Sequence, residues 1–286
     1  MTRTWLILGG NGQLGRDLQE VLADQDVTAL DLPLVDITDP QSVAAALAET
    51  NPDVVINAAA YTAVDAAETD EAVATLVNGT APGIIAAACA QRPGTRMVQV
   101  STDYVFSGDA RSPYTEDSAP DPRSAYGRSK LMGERAVREA LPDDSYVVRT
   151  AWLYGRHGAN FVKTMLRLES EREQLSVVDD QIGQPTWSAD LARQIRALVE
   201  ADAPAGTYHG TNSGQVSWHG FTQEIFRLSG ADPQRVGPTT TDQFPRPAPR
   251  PAYSVLGHEG WAQAGLAPMR PWDEALAEAL AAGGFR

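Results

Sequence analysis

A tyrosine and a lysine four residues apart are the pair in this sequence best suited to proton transfer. Tyr126 and Lys130 stand in the run Tyr126-Gly127-Arg128-Ser129-Lys130, and this spacing on a helix places both side chains on one face. A free phenol titrates near pH ~10, and a close ammonium group lowers its pKa toward the neutral range. The same spacing also occurs by chance on helix surfaces, so its interpretation depends on the surrounding elements.

A glycine-rich turn near the N-terminus supplies that context. The apolar run 5–8 is followed by Gly9, Gly12 and Gly15 and then by an amphipathic stretch, which predicts a strand, a tight turn and a helix. Glycines let the backbone approach a pyrophosphate, whose charge is attracted by the free N–H groups at the start of the helix. An ordinary loop is the alternative, but the position directly after the first strand favours a dinucleotide site.

The composition limits the classes of function. The chain has 286 residues and a formal net charge of −14, which suits a large core with a smaller lobe and disfavours nucleic acid or an anionic membrane as a partner. Cys89 is the only cysteine, so we predict no disulfide and no cysteine metal cluster, and we expect this residue to be buried. We find no leader, lipidation signal or apolar run of about 18 residues, which predicts a soluble cytoplasmic protein.

Short β-rich runs alternate with helical patterns in the first half of the chain. After the first strand, these runs are residues 27–30, 54–57, 97–100 and 146–148. This rhythm predicts an α/β protein with a doubly wound, Rossmann-like parallel sheet and a smaller, mostly C-terminal substrate lobe. The predicted boundaries are 1–150 for the dinucleotide-binding core and 151–286 for the lobe, with segments at about 172–205 returning to the core.

The second half has a looser pattern. It predicts a helix at 160–171, a strand at 175–178, a loop at 180–186, a helix at 190–200 and an extended, proline-rich loop at 244–251. The last of these is a stiff linker or, because it carries two arginines on an acidic protein, an anion contact.

Residues that follow the strands of a parallel sheet are the first candidates for ligand contacts. Asp31 follows the second strand, where it either meets the hydroxyls of an adenosine ribose, which disfavours a 2′-phosphate, or caps a turn. Ala58 and Ala59 follow the third strand and either make room for a ligand or pack tightly against a helix. Thr102 follows the fourth strand, where it can hydrogen-bond the carbonyl oxygen that Tyr126 would protonate.

Five motifs occur together in this chain. They are the glycine turn, the runs 57–65, 101–106 and 180–186, and the Tyr126/Lys130 pair. This combination resembles the dTDP-4-dehydrorhamnose reductases, which are extended short-chain dehydrogenase/reductases, and the likeness covers nearly the whole chain. It implies reduction of the C4 ketone of dTDP-4-dehydro-β-L-rhamnose by NADPH or NADH, with dTDP-β-L-rhamnose as the product.

The resemblance also implies roles for individual residues. Tyr126 would donate the proton, Lys130 would hold the nicotinamide ribose and lower the tyrosine pKa, and Thr102 would complete the catalytic set. Together with Asp31, the expected cofactor contacts are Gly9, Gly12, Gln13, Leu14, Asp36, Ile37, Ala58, Ala59, Tyr61, Tyr126 and Lys130. The expected substrate contacts are Thr102, Asp103, Tyr104, Tyr126, Trp152, Asn160, Gln184 and Arg250, with Trp152 alternatively a core residue.

Two departures from the family pattern affect the expectations. Ala189 stands where some members carry one of the carboxylates that bridge a dimer through a divalent metal, so we predict no metal and either a monomer or a homodimer. The glycine turn has no lysine or arginine placed to select a 2′-phosphate, and Asp31 favours NADH, so the cofactor preference stays open.

Three rival functions share parts of this pattern. Related dehydratases have an Asp-Glu pair after the threonine, whereas this chain has Asp103-Tyr104, which lacks the base for elimination and argues against dehydration. A reductase of a different dTDP-4-keto-6-deoxyhexose in a secondary-metabolite pathway is compatible with every motif. So is an NADP-binding regulatory subunit that resembles the β subunit of methionine adenosyltransferase.

Overall fold

A computed structural model describes residues 2–285 of the chain. The strands, in chain order, are β1 (Thr4–Leu8), β2 (Asp26–Leu30), β3 (Val54–Asn57), β4 (Arg96–Thr102), β5 (Ser145–Thr150), β6 (Leu153–Tyr154), β7 (Leu175–Val178), β8 (Ile182–Gly183), β9 (Thr186–Trp187), β10 (Gly206–His209), β11 (Val216–Ser217) and β12 (Val236–Thr239). The α-helices are α1 (Gln13–Val21), α2 (Pro40–Thr50), α3 (Glu71–Thr75), α4 (Ala81–Ala90), α5 (Ala125–Ala140), α6 (Phe161–Glu171), α7 (Ser188–Glu200), α8 (Trp218–Ser229), α9 (Glu259–Gln263) and α10 (Trp272–Ala282).

The central sheet has the strand order β10-β5-β4-β3-β1-β2, and every neighbouring pair in it is parallel. From β1 the chain first adds β2 on one side and then β3 on the other, so the direction of winding reverses between β1 and β3. A crevice opens at such a reversal, beyond the carboxyl ends of the strands. The predicted doubly wound parallel sheet is confirmed.

β1 illustrates why this sheet is covered by helices on both faces. Its residues alternate between two buried clusters: Trp5 and Ile7 pack with residues of α1 and α7, whereas Leu6 and Leu8 pack with residues of α2 and α4. A strand that is buried on both faces reads as a continuous apolar run, which is why the pattern at 5–8 was informative.

The smaller lobe has a core of its own. Val162 of α6, Phe221 of α8 and Leu276 of α10 are fully buried together. Later parts of the chain return to the central sheet, since α7 packs on α1 and β10 pairs with β5. Within the segment 172–205, β7 pairs instead with β12 outside the central sheet. The domain boundaries stay predictions.

The short strands differ most from the predicted pattern. The segment 180–186, which was predicted to be a loop, contains β8 and the first residue of β9. These strands pair with β11 and β6. Strands of two residues have no periodicity for a sequence pattern to detect. The segment 244–251 contains no regular strand or helix, as predicted, and Cys89 is buried.

One helical stretch requires a correction. Residues 71–90, which comprise α3, a π-helical turn and α4, are long and apolar enough to cross a membrane by length and composition, so the prediction that no such run exists is wrong. Ala81, Ile85 and Cys89 of α4 are nevertheless fully buried in the cluster beneath the sheet. The α4 part of the stretch therefore has the packing of a core helix. The cytoplasmic location stays a prediction.

Candidate active site

Glycines close the turn between β1 and α1. Gly9 has a φ of +86°, and a Cβ there would lie 2.6 Å from the backbone nitrogen of Ala59. A Cβ on Gly15 would collide with the carbonyl oxygen of Gly9. The first N–H groups of α1 lack intrahelical partners, and in the described chain neither a side-chain cap at Gly12 nor an acidic residue in that turn competes for them. This helix end can therefore accept an anion.

A cleft of about 690 Å³ extends from this turn across the carboxyl ends of the strands. Predicted cofactor and substrate residues line it together: Gly9, Gly12, Gln13, Leu14, Asp31, Asp36, Ile37, Ala58, Ala59, Thr102, Asp103, Tyr104, Tyr126, Lys130 and Trp152. A volume of this size lies in the range of small-molecule and cofactor sites.

α5 places the predicted proton-transfer pair in the cleft. The helix begins after Ser124, whose hydroxyl oxygen accepts the N–H of Gly127 at 3.0 Å, so Tyr126 lies in the first turn. Lys130 follows one turn later and is 4 % exposed. Its Nζ donates to the carbonyl oxygen of Val100 at 2.6 Å, which fixes the lysine against β4.

Thr102 joins this pair from the end of β4. Its Oγ1 donates to Oδ1 of Asp103 at 2.9 Å and accepts the backbone N–H of Tyr104 at 3.2 Å. The ring of Tyr104 meets the ring of Tyr126 edge to face, with centroids 5.6 Å apart. The threonine and the phenol therefore share one small, buried region of the cleft.

Burial dominates the electrostatics of this region. It raises the pKa of Tyr126 to about 12, with the charge of Asp103 adding to the effect and Thr102 opposing it. Burial also lowers the pKa of Lys130 to about 8, against the influence of Glu134. The lowering of the tyrosine pKa that we expected from Lys130 does not occur among the protein groups alone. Tyr126 is therefore a neutral phenol at neutral pH.

Asp103 is the buried carboxyl group of the cleft. Burial raises its pKa to about 6, despite hydrogen bonds to its side chain. Asp31 lies at the other end and is tied to the backbone, since Oδ2 accepts the N–H of Asn11 at 3.0 Å and Oδ1 accepts that of Leu32 at 2.9 Å. The carboxylate of Asp31 therefore caps a turn, which was the second of the two roles predicted for it.

Trp152 lies on the wall of the cleft with unusual backbone geometry. Its φ is +45°, a region that bulky residues rarely adopt, and its ring stacks on that of Trp218 with centroids 3.5 Å apart. A Cβ on Gly183 would lie 2.5 Å from Cε2 of Trp152. Backbone strain of this kind concentrates at functional sites, which favours a ligand contact over a purely structural role.

Four predicted site residues do not line the cleft. Tyr61 packs beside Tyr126 in a small apolar cluster. Asn160 caps α6 and donates from Nδ2 to Oε1 of Gln13 at 3.1 Å, so it acts on the cleft through Gln13. These two residues border the site without facing it.

Gln184 and Arg250 are further from their predicted contacts. Gln184 is 2 % exposed, and its Oε1 accepts hydrogen bonds from Thr211 and from the N–H of Leu256, so in this arrangement its side chain is not available to a substrate. Arg250 lines a small neighbouring pocket, and its Nη2 lies 2.8 Å from Oδ1 of Asp65. Its charge is thus already paired.

Sequence reasoning also missed residues that complete the site. The cleft is further lined by Leu32, Val35, Thr38, Ala60, Thr62, Val64, Val77, Val100, Ser101, Thr150, Ala151, Leu153, Gly158 and Ala159. Most offer backbone or small side chains, which carry no distinctive sequence signal. Glu134 had such a signal, because it extends the four-residue spacing of Tyr126 and Lys130 by one more turn.

Three groups that could ligate a cation lie close together at α1. Ligand atoms of Asp17, Glu20 and His157 are within 4.8 Å of one another. Ser188 donates to Asp17, and Glu20 is paired with Arg156, so both carboxylates already have protein partners. The predicted lack of a metal stays a prediction.

These features define a short-chain dehydrogenase/reductase of the Rossmann type: the strand order reverses, and one cleft brings together the glycine turn, the threonine, the tyrosine and the lysine. Comparison with known sequences narrows this class. The chain belongs to the family described as the RmlD substrate binding domain, whose sequence model matches residues 3–284. The predicted family resemblance is confirmed.

Individual relatives agree with this assignment. The chain is 54% identical over 278 residues to the probable dTDP-4,6-dihydroxy-2-methyloxan-3-one 4-ketoreductase of Streptomyces antibioticus, covering 96% of this chain and 94% of that protein. It is 51% identical over 284 residues to the dTDP-4-dehydrorhamnose reductase of Streptomyces griseus, covering 97% and 93%. The crystal structure of dTDP-4-dehydrorhamnose reductase from Bacillus anthracis in complex with NADP matches with a TM-score of 0.95 and 40% identity, over 99% and 100% of the two chains.

Proposed function

We propose that this protein is an NADPH-dependent reductase that converts dTDP-4-dehydro-β-L-rhamnose to dTDP-β-L-rhamnose. The observation that carries the proposal is the gathering of Thr102, Tyr126 and Lys130 in one cleft with the glycine turn. The names of the relatives supply the substrate class, and the NADP complex of a relative supports the cofactor. Either a monomer or a homodimer fits this proposal.

The residues around the glycine turn fit a dinucleotide. Gly12, Gln13 and Leu14 would hold the pyrophosphate at the open end of α1, because the turn is too closely packed for side chains at Gly9 and Gly15 and no side chain caps the helix. Asp36 and Ile37 would border the adenine, and Ala58, Ala59 and Lys130 the central part of the cofactor. Tyr61 would support this part from the apolar cluster that it shares with Tyr126. When bound, NADPH supplies the hydride that the reduction requires.

Tyr126 is the proposed proton donor to the carbonyl oxygen of the substrate. Its high pKa keeps the phenol protonated at neutral pH, so it can transfer a proton once negative charge develops on that oxygen. Thr102 would hydrogen-bond the same oxygen and orient it. Lys130 would hold the ribose and stabilise the phenolate that remains, because its ammonium group lies one helical turn away. The ketone thus receives a hydride at C4 and a proton at its oxygen.

The cofactor preference is the part of the proposal that departs from the residue pattern. Asp31 favours NADH in principle, but both its oxygens accept backbone N–H groups and turn the carboxylate toward the protein. We therefore place NADPH first and NADH second.

The substrate is proposed to extend from the nicotinamide region toward Tyr104, Asp103 and Trp152. Arg250 would contact the diphosphate of the nucleotide after exchanging its partner Asp65 for the ligand, and the small pocket that it shares with Tyr104 supports this direction. Asn160 and Gln184 are retained in this proposal as residues that support the wall of the site.

A second candidate is the reduction of another dTDP-4-keto-6-deoxyhexose. The relative with 54% identity is a probable 4-ketoreductase of a different dTDP-sugar, and this similarity favours the second candidate. The proton-transfer groups serve both reactions equally, because they act on the ketone and not on the remaining stereocentres.

The deciding experiment is an assay of cofactor oxidation with product identification. The purified protein is supplied with NADPH or NADH and with dTDP-4-dehydro-β-L-rhamnose prepared in situ, and other dTDP-4-keto-6-deoxyhexoses are tested in parallel. Formation of dTDP-β-L-rhamnose as the preferred product supports the proposal. Preference for another sugar supports the second candidate, whereas NADPH binding without oxidation of any substrate supports the regulatory-subunit alternative.

A further inference from the structure

Glu134 extends the face of α5 that carries Tyr126 and Lys130. It lies one helical turn beyond Lys130, and its side chain is 3 % exposed. A buried carboxylate is costly unless charged or hydrogen-bonding partners surround it. The proposed reaction makes no use of this group, so its burial beside the site calls for an explanation.

The partners of Glu134 come from two strands. Arg149 donates from Nε to Oε1 at 2.9 Å and from Nη2 to Oε2 at 2.7 Å, while the Ser101 hydroxyl donates to Oε1 at 2.5 Å. Ser101 and Arg149 are direct neighbours across β4 and β5. Their next residues are Thr102 and Thr150, which line the cleft. Glu134 therefore joins the helix of the proton-transfer pair to both strands that end at the site.

Several buried charges lie in this region. Lys130 and Arg149 are two buried cations, and Glu134 is the carboxylate that acts on Lys130. Asp103, at the end of β4, acts on Tyr126 instead. His209 of β10 lies beside Arg149 and is neutral, because burial lowers its pKa to about 3. Glu134 thus provides the negative charge that opposes the desolvation of the lysine.

We propose that Glu134 is a positioning residue whose carboxylate, anchored by Arg149 and Ser101, keeps the Lys130 amine protonated and seated on the carbonyl of Val100. The importance of Lys130 rests on the proposed reductase function, but the charge of Lys130 does not. The two can therefore be tested separately.

The sequence offers an unusually clean probe of this charge. Lys130 and Lys163 are the only lysines in the chain. Isotope-labelled lysine consequently gives two side-chain NMR signals, and Lys163→Arg assigns them. Lys163 lies on α6 in the other lobe and serves as a control within the same molecule.

The test compares the pH titration of Lys130 in the full-length wild type and in Glu134→Gln. We expect Lys130 to titrate about 1–2 units lower in the variant, because a buried opposite charge one helical turn away is lost, while Lys163 is unchanged. At pH 8 the protonated fraction of Lys130 would fall from about one half to about one tenth or less. Glu139→Gln, which removes an exposed carboxylate from the same helix, should leave Lys130 unchanged.

A second variant covers the case in which Glu134→Gln does not fold. Glu134→Gln/Arg149→Met removes both charges of the pair, so no unpaired guanidinium remains buried, and the titration of Lys130 should still move downward. An unchanged or upward titration in a folded variant of either kind overturns the proposal. So does a wild-type Lys130 that is already neutral at pH 7.

A kinetic readout connects the inference to turnover. In Glu134→Gln the alkaline limb of the kcat profile should move to lower pH by the same amount as the NMR titration, with little change in the KM of the sugar. A uniform loss of kcat at all pH values would instead indicate a structural role and contradict the proposal. If the wild type turns over no sugar, the proposed function fails, while the NMR titration still decides the role of Glu134.

Discussion

Replacing Tyr126 by phenylalanine separates the stability of the cleft from its chemistry. Thr102 keeps two hydrogen bonds in the variant, one donated to Asp103 and one accepted from the N–H of Tyr104. The penalty of about 1–3 kcal/mol for leaving a buried polar group without a partner is therefore avoided, and we expect the free energy of unfolding to change by at most about 1 kcal/mol. The edge-to-face contact with Tyr104 is also retained.

The expected loss of activity is much larger. A positioned general acid contributes about 10²–10⁴ in rate, which corresponds to about 2.7–5.4 kcal/mol in the activation free energy. The Tyr126→Phe variant should lose this factor in kcat while its affinity for NADPH changes by less than about threefold, because Lys130 and the glycine turn are untouched.

Three measurements are needed for this comparison: kcat from NADPH oxidation at saturating substrate, the NADPH dissociation constant from fluorescence, and the unfolding midpoint in denaturant. Tyr253→Phe is the matched control, because it removes a hydroxyl that contacts Gln215 outside the cleft. If Tyr126→Phe keeps more than about one tenth of the wild-type kcat, another group donates the proton and the assignment is refuted.

Three further predictions follow from the site. Arg250→Ala should raise the KM of the dTDP-sugar at least about tenfold with a smaller fall in kcat, because a charge-assisted contact is lost, whereas equal changes in KM and kcat would show that Arg250 is misplaced. Arg246→Ala is the control and should have a weaker effect, since its Nη1 is 4.0 Å from the carboxylate of Asp65. Asp103 has a folded-state pKa of about 6 against an ordinary value of about 3.9, so it holds its proton more tightly in the native state, and the stability of the wild type relative to Asp103→Asn should fall by about 2 kcal/mol as pH rises from about 4 to 6. Denaturant unfolding at both pH values checks this, and a constant difference contradicts it. Gly15→Ala should weaken NADPH binding at least about tenfold, because the added Cβ would distort the glycine turn. Gly206→Ala, whose Cβ would meet no atom within 4 Å, should bind NADPH normally, and comparable losses in both variants would argue against the glycine turn as the pyrophosphate site.

The parts of the fold that the sequence predicted are those with local causes. The strands of the central sheet are apolar on both faces, so each is visible as a short run, and the polar residues at their ends had to meet at one edge. Thr102 lines the cleft for this reason, whereas Tyr126 reaches it from the first turn of α5. The glycine turn was recognisable because a close backbone approach permits few other residues.

The parts that were missed depend on contacts between distant segments. Gln184 was expected in the site, but hydrogen bonds from Thr211 and Leu256 turn its side chain into the lobe. Arg250 was expected to be free for an anion, but Asp65 lies far away in sequence and pairs with it. The pKa of Tyr126 depends on burial, which a four-residue spacing does not reveal.

The stacked Trp152 and Trp218 have a consequence for the shape of the cleft. The wall of the cleft at Trp152 is built from three separate segments, since the Trp152 ring stacks on Trp218 and occupies the space that Gly183 leaves. A larger residue at position 183 would displace that ring and reshape the surface without altering Thr102 or Tyr126. Under the proposed function, we therefore expect substitutions at position 183 to change the sugar preference without removing a proton-transfer group.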